Sequence, residues 1–131
     1  MQVLDAHALM AYLEKESGYE KVRDVFTAAA EKDRNLLMTA VNWGEVYYIV
    51  TREYDYHKAE DVALMIQGLP IDIVPVDLEL AKEAAMLKTA HKMSYADCFA
   101  VALAKKKKAE LVTGDKEFRT VEKEIKINWI F

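Results

Sequence analysis

Asp97 lies in the run SYADCFAVALA (Ser94–Ala104), in which Ala96, Phe99, Ala100 and Leu103 recur at helical spacing. An ionised carboxylate inside such a run needs a partner. Ser94 at the N-cap would make Asp97 the acidic corner of a capping box, accepting a backbone hydrogen bond at the positive end of the helix dipole. Three other acids could join it. Asp5 ends the first apolar run, Asp115 follows Leu111-Val112-Thr113, and Glu45 borders the stripe Val46, Ile49 and Val50. Singly, each has a local explanation: Asp5 and Asp115 could cap the helices they precede, and Glu45 could pair with Arg52. Brought together they are a different object. Clustered carboxylates repel and raise one another's pKa unless a cation neutralises them. An all-oxygen donor set suits Mg²⁺ or Mn²⁺. No Cys/His spacing of the zinc kind is present.

These residues depend on elements that the sequence also marks. A first strand through Val3-Leu4 ends at Asp5 and leads into a helix reaching about Glu14. Ser17 with Glu20 reads as a capping box opening a helix with Val22, Val25, Phe26 and Ala29 on one face. Leu36-Leu37-Met38 reads as a strand, followed by helices over about 41–53 and 56–67. Ile71–Val74 alternates and stops at Pro75, as a strand should. Asp77 caps a helix carrying Leu80, Ala81, Ala84 and Leu87, and the next helix spans Tyr95 to about Lys107. Leu111–Thr113 is a strand, Gly114-Asp115 a turn, and Lys116–Glu122 a short helix. Ile125, Ile127 and Trp129 alternate in a last strand. Strands separated by helices imply an α/β fold, a three-layer α/β/α sandwich around a mostly parallel sheet. Such folds place their sites outside the carboxyl ends of the strands. Asp5 and Asp115 would lie on that edge, with the start of the Asp97 helix beside them.

Composition narrows the class. A chain of 131 residues is expected to form one domain, residues 1–131, with no linker, repeat or low-complexity segment. Apolar residues make up 53% and charged residues 31%, which excludes a disordered chain. No membrane span or basic leader is legible, and a lone Cys98 excludes an internal disulfide, so a reducing cytoplasm is expected. Cys98 itself reads as a small buried residue, because no His near it in sequence would activate it. The net charge of −4 argues against coating nucleic acid by bulk electrostatics. It leaves room for a local basic rim, and Lys105-Lys106-Lys107-Lys108 is the candidate for RNA contact. The same run would also complement a helix C-terminus.

In order and spacing, the segments VLDAHALMAYL, NWGEVYYIV, SYADCFAVALA and LVTGDKEF resemble the motifs of PIN-domain ribonucleases, and most of all the small VapC-like toxins of toxin–antitoxin pairs. The resemblance covers the whole chain. It implies metal-binding and catalytic roles for Asp5, Glu45, Asp97 and Asp115, with Thr113 as a supporting hydroxyl. It also implies Mg²⁺- or Mn²⁺-dependent hydrolysis of RNA phosphodiesters through an activated water, leaving 5′-phosphate and 3′-hydroxyl ends. A small protein antitoxin and a homodimer are the partners it implies. One position departs from the family: His7 stands where a Ser or Thr is usual, two residues after the first Asp. Its imidazole could hydrogen-bond a carboxylate or phosphate, or simply pack. The rival reading is a catalytically silent PIN-like module that binds protein or RNA. Its weakness is that a non-catalytic domain has no physical reason to keep mutually repelling carboxylates.

Overall fold

Four of the five strands are short apolar segments that must be covered on both faces, and only a parallel sheet with helices above and below does that. The computed structural model describes all 131 residues. Its strands are β1 (Gln2–Leu4), β2 (Leu36–Thr39), β3 (Ile71–Val74), β4 (Glu110–Thr113) and β5 (Ile127–Trp129). All pair in parallel, in the order β3-β2-β1-β4-β5. Side chains alternate across the sheet. Val3 and Leu111 enter one core, with helices α5 (Leu78–Ala90) and α6 (Tyr95–Lys107). Leu4, Val112, Leu36 and Met38 enter the other. That second core is closed by α1 (Ala6–Leu13), α2 (Tyr19–Glu31), α3 (Ala40–Glu53) and α4 (Tyr56–Gln67). This is the expected three-layer sandwich. No helix is long and apolar enough to cross a membrane.

The connectivity sets where a site can form. From β1 the chain steps outward to β2 and β3, then crosses back to place β4 on the other side of β1. The order therefore reverses between β1 and β4. At such a switch point the connections leave in opposite directions, and a crevice opens beyond the strand carboxyl ends.

Three local expectations are corrected. The helix expected to begin at Ser17 starts at Tyr19, with Gly18 as its N-cap and no side-chain cap. Gly18 has φ +93°, and an added Cβ would lie 2.8 Å from the Ile130 side chain and carbonyl oxygen. Close approach of the C-terminal segment thus selects glycine there, and that contact displaces the capping box. Asp5 is not the last strand residue but the N-cap of α1. Ile125 lies before β5, buried in the core of the α5–α6 layer. Two turns of 3₁₀ helix, α7 (Lys116–Val121), occupy the expected short helical stretch.

Gly18→Ala should destabilise the fold by about 1–3 kcal/mol, through backbone strain and the clash with Ile130. Urea unfolding monitored by tryptophan fluorescence reads this directly. A neutral result would mean that the C-terminal segment is not held against Gly18.

Candidate active site

The switch-point crevice between β1 and β4 is where the acidic residues meet. Asp5 follows β1 and is 2% exposed. As N-cap of α1, its Oδ1 accepts from the Ala8 N–H at 2.8 Å. Its Oδ2 accepts from the hydroxyl of Thr113, the last residue of β4. The Thr113 hydroxyl oxygen also accepts from the Asp115 N–H at 3.0 Å. One fully buried hydroxyl therefore ties the loop after β1 to the loop after β4.

Asp97 arrives from the other layer. Ser94 caps α6 by accepting the Asp97 N–H at 3.1 Å, which puts Asp97 third in the helix as expected. The reciprocal half of the capping box is not formed, because no backbone N–H donates to the Asp97 carboxylate. Its oxygens lie close to those of Asp115 and Glu117 instead. Glu45, half-buried on α3, is not paired with Arg52, whose guanidinium lies 5.6 Å from the Tyr48 ring centroid. Glu45, Asp97, Asp115 and His7 line one pocket of about 490 Å³, and Ala6, beside Asp5, also lines it.

The electrostatics follow from crowding in a poorly solvated place. Burial pushes Asp5 up to about 7; its bonds from Thr113 and Ala8 oppose the rise, while Asp97 and Asp115 add to it. Burial pushes Asp97 up to about 6, reinforced by Asp115 and then Glu45. Glu45 is raised by burial and by Asp115, against the hydrogen bond from Asn42. Six carboxylates line the pocket in all, including Glu14, Glu16 and Glu53, and no Lys or Arg does. Burial raises Cys98 as well, and its side chain is fully enclosed, in keeping with a packing role.

Two residues escape sequence reasoning. Carboxylate oxygens of Asp97, Asp115 and Glu117 lie within 4.8 Å of one another, so Glu117 belongs to the cluster. In sequence it looks like a solvated acid at a helix start. Asn42 is fully buried. Its amide donates to Glu45 Oε1 at 3.1 Å and to the Ala96 carbonyl at 3.1 Å, and its Oδ1 accepts from the Thr39 hydroxyl at 2.6 Å. It locks α3 against the start of α6. A signal existed, since Asn42 shares helical spacing with Val46 and Val50 and so sits on the core stripe.

His7 and the lysine run are placed differently from each other. The His7 ring packs over Gly114, where an added Cβ would lie 2.7 Å from Cε1, and it makes no hydrogen bond. It hydrogen-bonds none of the carboxylates and stands exposed at the pocket edge. Lys105–Lys108 end α6, whereas Asp97 begins it, about 16 Å away at 1.5 Å per residue. Lys105 and Lys108 border a groove with Gln2, Leu36 and Glu110, at the amino edge of the sheet. A lysine rim beside the acidic pocket is therefore not formed, because helix direction separates the two ends.

Crowded, desolvated carboxylates with no Lys or Arg among them fit a hard divalent cation. The PIN domain family model matches residues 3–124, and the chain belongs to that family. A comparison with curated proteins gave no match. The fold is similar to a toxin–antitoxin complex from Klebsiella pneumoniae, at 14% identity and a TM-score of 0.76, covering 100% of this chain and 98% of that one. It is also similar to Mycobacterium tuberculosis VapC20, a sarcin-ricin loop cleaving toxin, at 15% identity, a TM-score of 0.75 and coverage of 92% and 95%. A third similar structure is Rickettsia felis VapBC2 bound to a DNA fragment from their promoter, at 15% identity, a TM-score of 0.78 and coverage of 97% and 96%. These likenesses establish the fold.

Two outcomes follow. In metal-free protein Asp5 and Asp97 have folded pKa values above the unfolded carboxylate range, so the folded state binds more protons between about pH 4 and pH 7. Their contribution to stability should therefore fall by several kcal/mol, up to about 7, as pH rises through that window. Urea unfolding in EDTA at either end of the window measures it, and millimolar Mg²⁺ should reverse the loss at the upper end. Stability that rises across the window would contradict this account. Asn42→Ala should cost about 1–3 kcal/mol, because the Thr39 hydroxyl and Ala96 carbonyl lose their partner. It should also weaken Mn²⁺ binding in calorimetry by freeing Glu45; unchanged Mn²⁺ affinity would confine Asn42 to a packing role.

Proposed function

We propose that this PIN-domain chain is a Mg²⁺- or Mn²⁺-dependent endoribonuclease, a VapC-like toxin. The observation that carries the reading is the convergence of Glu45, Asp97 and Asp115 on one pocket, with Asp5 buried beside it and no Lys or Arg among them; burial, reinforced by the neighbouring carboxylates, raises Asp5, Glu45 and Asp97. In this reading those four residues, together with Glu117, hold the ion. Asp5 spends one acceptor site on each oxygen for Ala8 and Thr113, which leaves a lone pair on each for a ligand. Thr113 fixes that carboxylate and Asn42 fixes Glu45, so the donors are oriented before anything binds. A divalent cation held there would lower the pKa of a water and neutralise charge on the phosphoryl group. Water adds across the phosphodiester: its oxygen bonds to phosphorus in line, and the 3′ oxygen leaves with a proton. The acidic walls repel an RNA backbone until the cation is present, which couples substrate entry to metal loading.

A protein antitoxin is the proposed partner. Support comes from a smaller, mostly apolar groove of about 250 Å³ lined by Met10, Leu13, Val50, Tyr54, Val62 and Met65. Met10 and Glu14 border both this groove and the acidic pocket. A segment with apolar side chains followed by a cation would cover the two together. Leu78 and Met86, 86% and 67% exposed on α5, offer an apolar surface for a second copy of the chain.

Purified protein should cleave RNA with Mg²⁺ or Mn²⁺, stop in EDTA, and leave 5′-phosphate ends detectable by ligation. Asp97→Asn should lower the rate by at least about a hundredfold, on the scale of removing one electrostatic participant. Metal-free stability should hold or rise, since one like charge is gone. Wild-type protein that binds Mn²⁺ and RNA without cutting would support the silent binding module instead.

A further inference from the structure

An acidic pocket with no cationic side chain poses a problem for a protein that must hold a polyanion. The largest concavity lies at the other end of the sheet, a groove of about 1020 Å³ beside the amino ends of β1, β2, β4 and β5. Six cations line it, Lys21, Lys32, Arg34, Lys105, Lys108 and Lys126, against three carboxylates. Each of those carboxylates is already engaged. Glu124 pairs with Lys105 at 3.0 Å, Glu110 with Lys126 at 3.7 Å, and Asp24 with Arg23 at 3.3 Å. The Lys21 ammonium donates to the Trp129 carbonyl. Lys32, Arg34 and Lys108 have no acidic partner and are exposed. Their free positive charge is concentrated on one face of a chain whose net charge is −4.

The geometry points to this groove as a second RNA contact, an electrostatic dock for the phosphate backbone away from the site of cleavage. The inference rests on the ribonuclease reading for the identity of its polyanion. Small-molecule sites are predominantly apolar and aromatic, whereas only eight of the twenty residues here are hydrophobic and none is aromatic. With no ring on which a base could stack, the groove fits backbone phosphates and carries no base preference. The distance suits the task. The roughly 16 Å from Asp97 to Lys108 corresponds to about five nucleotides of stacked strand at 3.4 Å each. An RNA longer than that can touch both ends of the domain, its flank held by cations while the metal-loaded pocket takes the scissile phosphate. Short RNA cannot.

The test combines Lys32→Gln, Arg34→Gln and Lys108→Gln, and repeats it with Lys32→Glu and Arg34→Glu. Binding is measured on the Asp97→Asn background in EDTA, with a fluorescent oligouridylate of about 20 nucleotides across a series of KCl concentrations. The neutral triple should weaken binding roughly tenfold or more near 0.1 M salt and flatten the log–log salt slope by up to about 2, at 0.7 per phosphate contact. The charge-reversal pair should weaken binding at least as much as the neutral changes at the same two positions. In cleavage assays with Mn²⁺, the triple should raise KM for the long RNA, leave kcat unchanged, and leave cleavage of a five-nucleotide RNA unchanged. Unaltered affinity and salt slope in both variants would overturn the dock while leaving the nuclease reading intact. A wild-type protein that cuts nothing, yet loses RNA binding in the triple, would sustain the dock and overturn the nuclease reading. Polyglutamate that binds wild-type protein and displaces nothing in the triple, with RNA affinity equal in both, would overturn the RNA dock in favour of an acidic protein partner.

Discussion

A buried carboxylate at a topological switch point governs the rest of this molecule. Asp5 is removed from water, capped by the Ala8 N–H and bonded by the Thr113 hydroxyl. Those two bonds do not offset the cost of burying its charge, since it is still pushed up to about 7. The residue therefore needs a proton or a cation. With Asp97, Asp115 and Glu45 close by, a proton relieves one group at a time, whereas a single divalent ion relieves several. The same hydrogen bonds that cap a helix and join two strand ends hold the donors in place, so structure and site share atoms here.

The polarity of the parallel sheet extends this arrangement to the whole domain. Helix N-termini face the carboxyl edge, where their partial positive charge favours Asp5, Asp97 and Asp115. Helix C-termini face the amino edge, where the α6 lysines sit. Charge is thereby sorted into two ends, acidic at the crevice and basic at the opposite groove. An even distribution of the same residues would carry the same net charge without either concentration of charge.

The C-terminal segment closes the arrangement. Ile130 donates its N–H to the Thr113 carbonyl at 3.1 Å and packs on two glycines, Gly18 and Gly114. A side chain at either glycine would collide with it. Through Gly114 the same packing positions His7 over the crevice, so the residue that departs from the family pattern is held by the contact that holds the last strand.

Most elements were legible because their causes are local. Ser94 and Asp77 cap helices through their own next turn, and Val3-Leu4, Leu36–Met38 and Leu111–Val112 are apolar in both directions, which only a doubly covered sheet satisfies. The four acids were legible for related reasons: Asp5, Asp97 and Asp115 stand at the starts of recognisable helices, which parallel topology sends to one edge, and Glu45 borders an apolar helix stripe. What failed depended on distant chain. Ser17 lost its helix start to Gly18 because Ile130, more than a hundred residues away, occupies the space. Glu117 joined the site because the turn after β4 folds back beside the start of α6, and Asn42 because Ala96 meets it from another layer. The lysine run lies at the far edge because α6 begins at the crevice and runs away from it, so the helix direction that brings Asp97 to the site removes Lys105–Lys108 from it. The sequence by itself determined the elements and the residues with chemical potential; the packing of the layers decided which of those residues share a site, because their proximity is a property of contacts the chain makes only when folded.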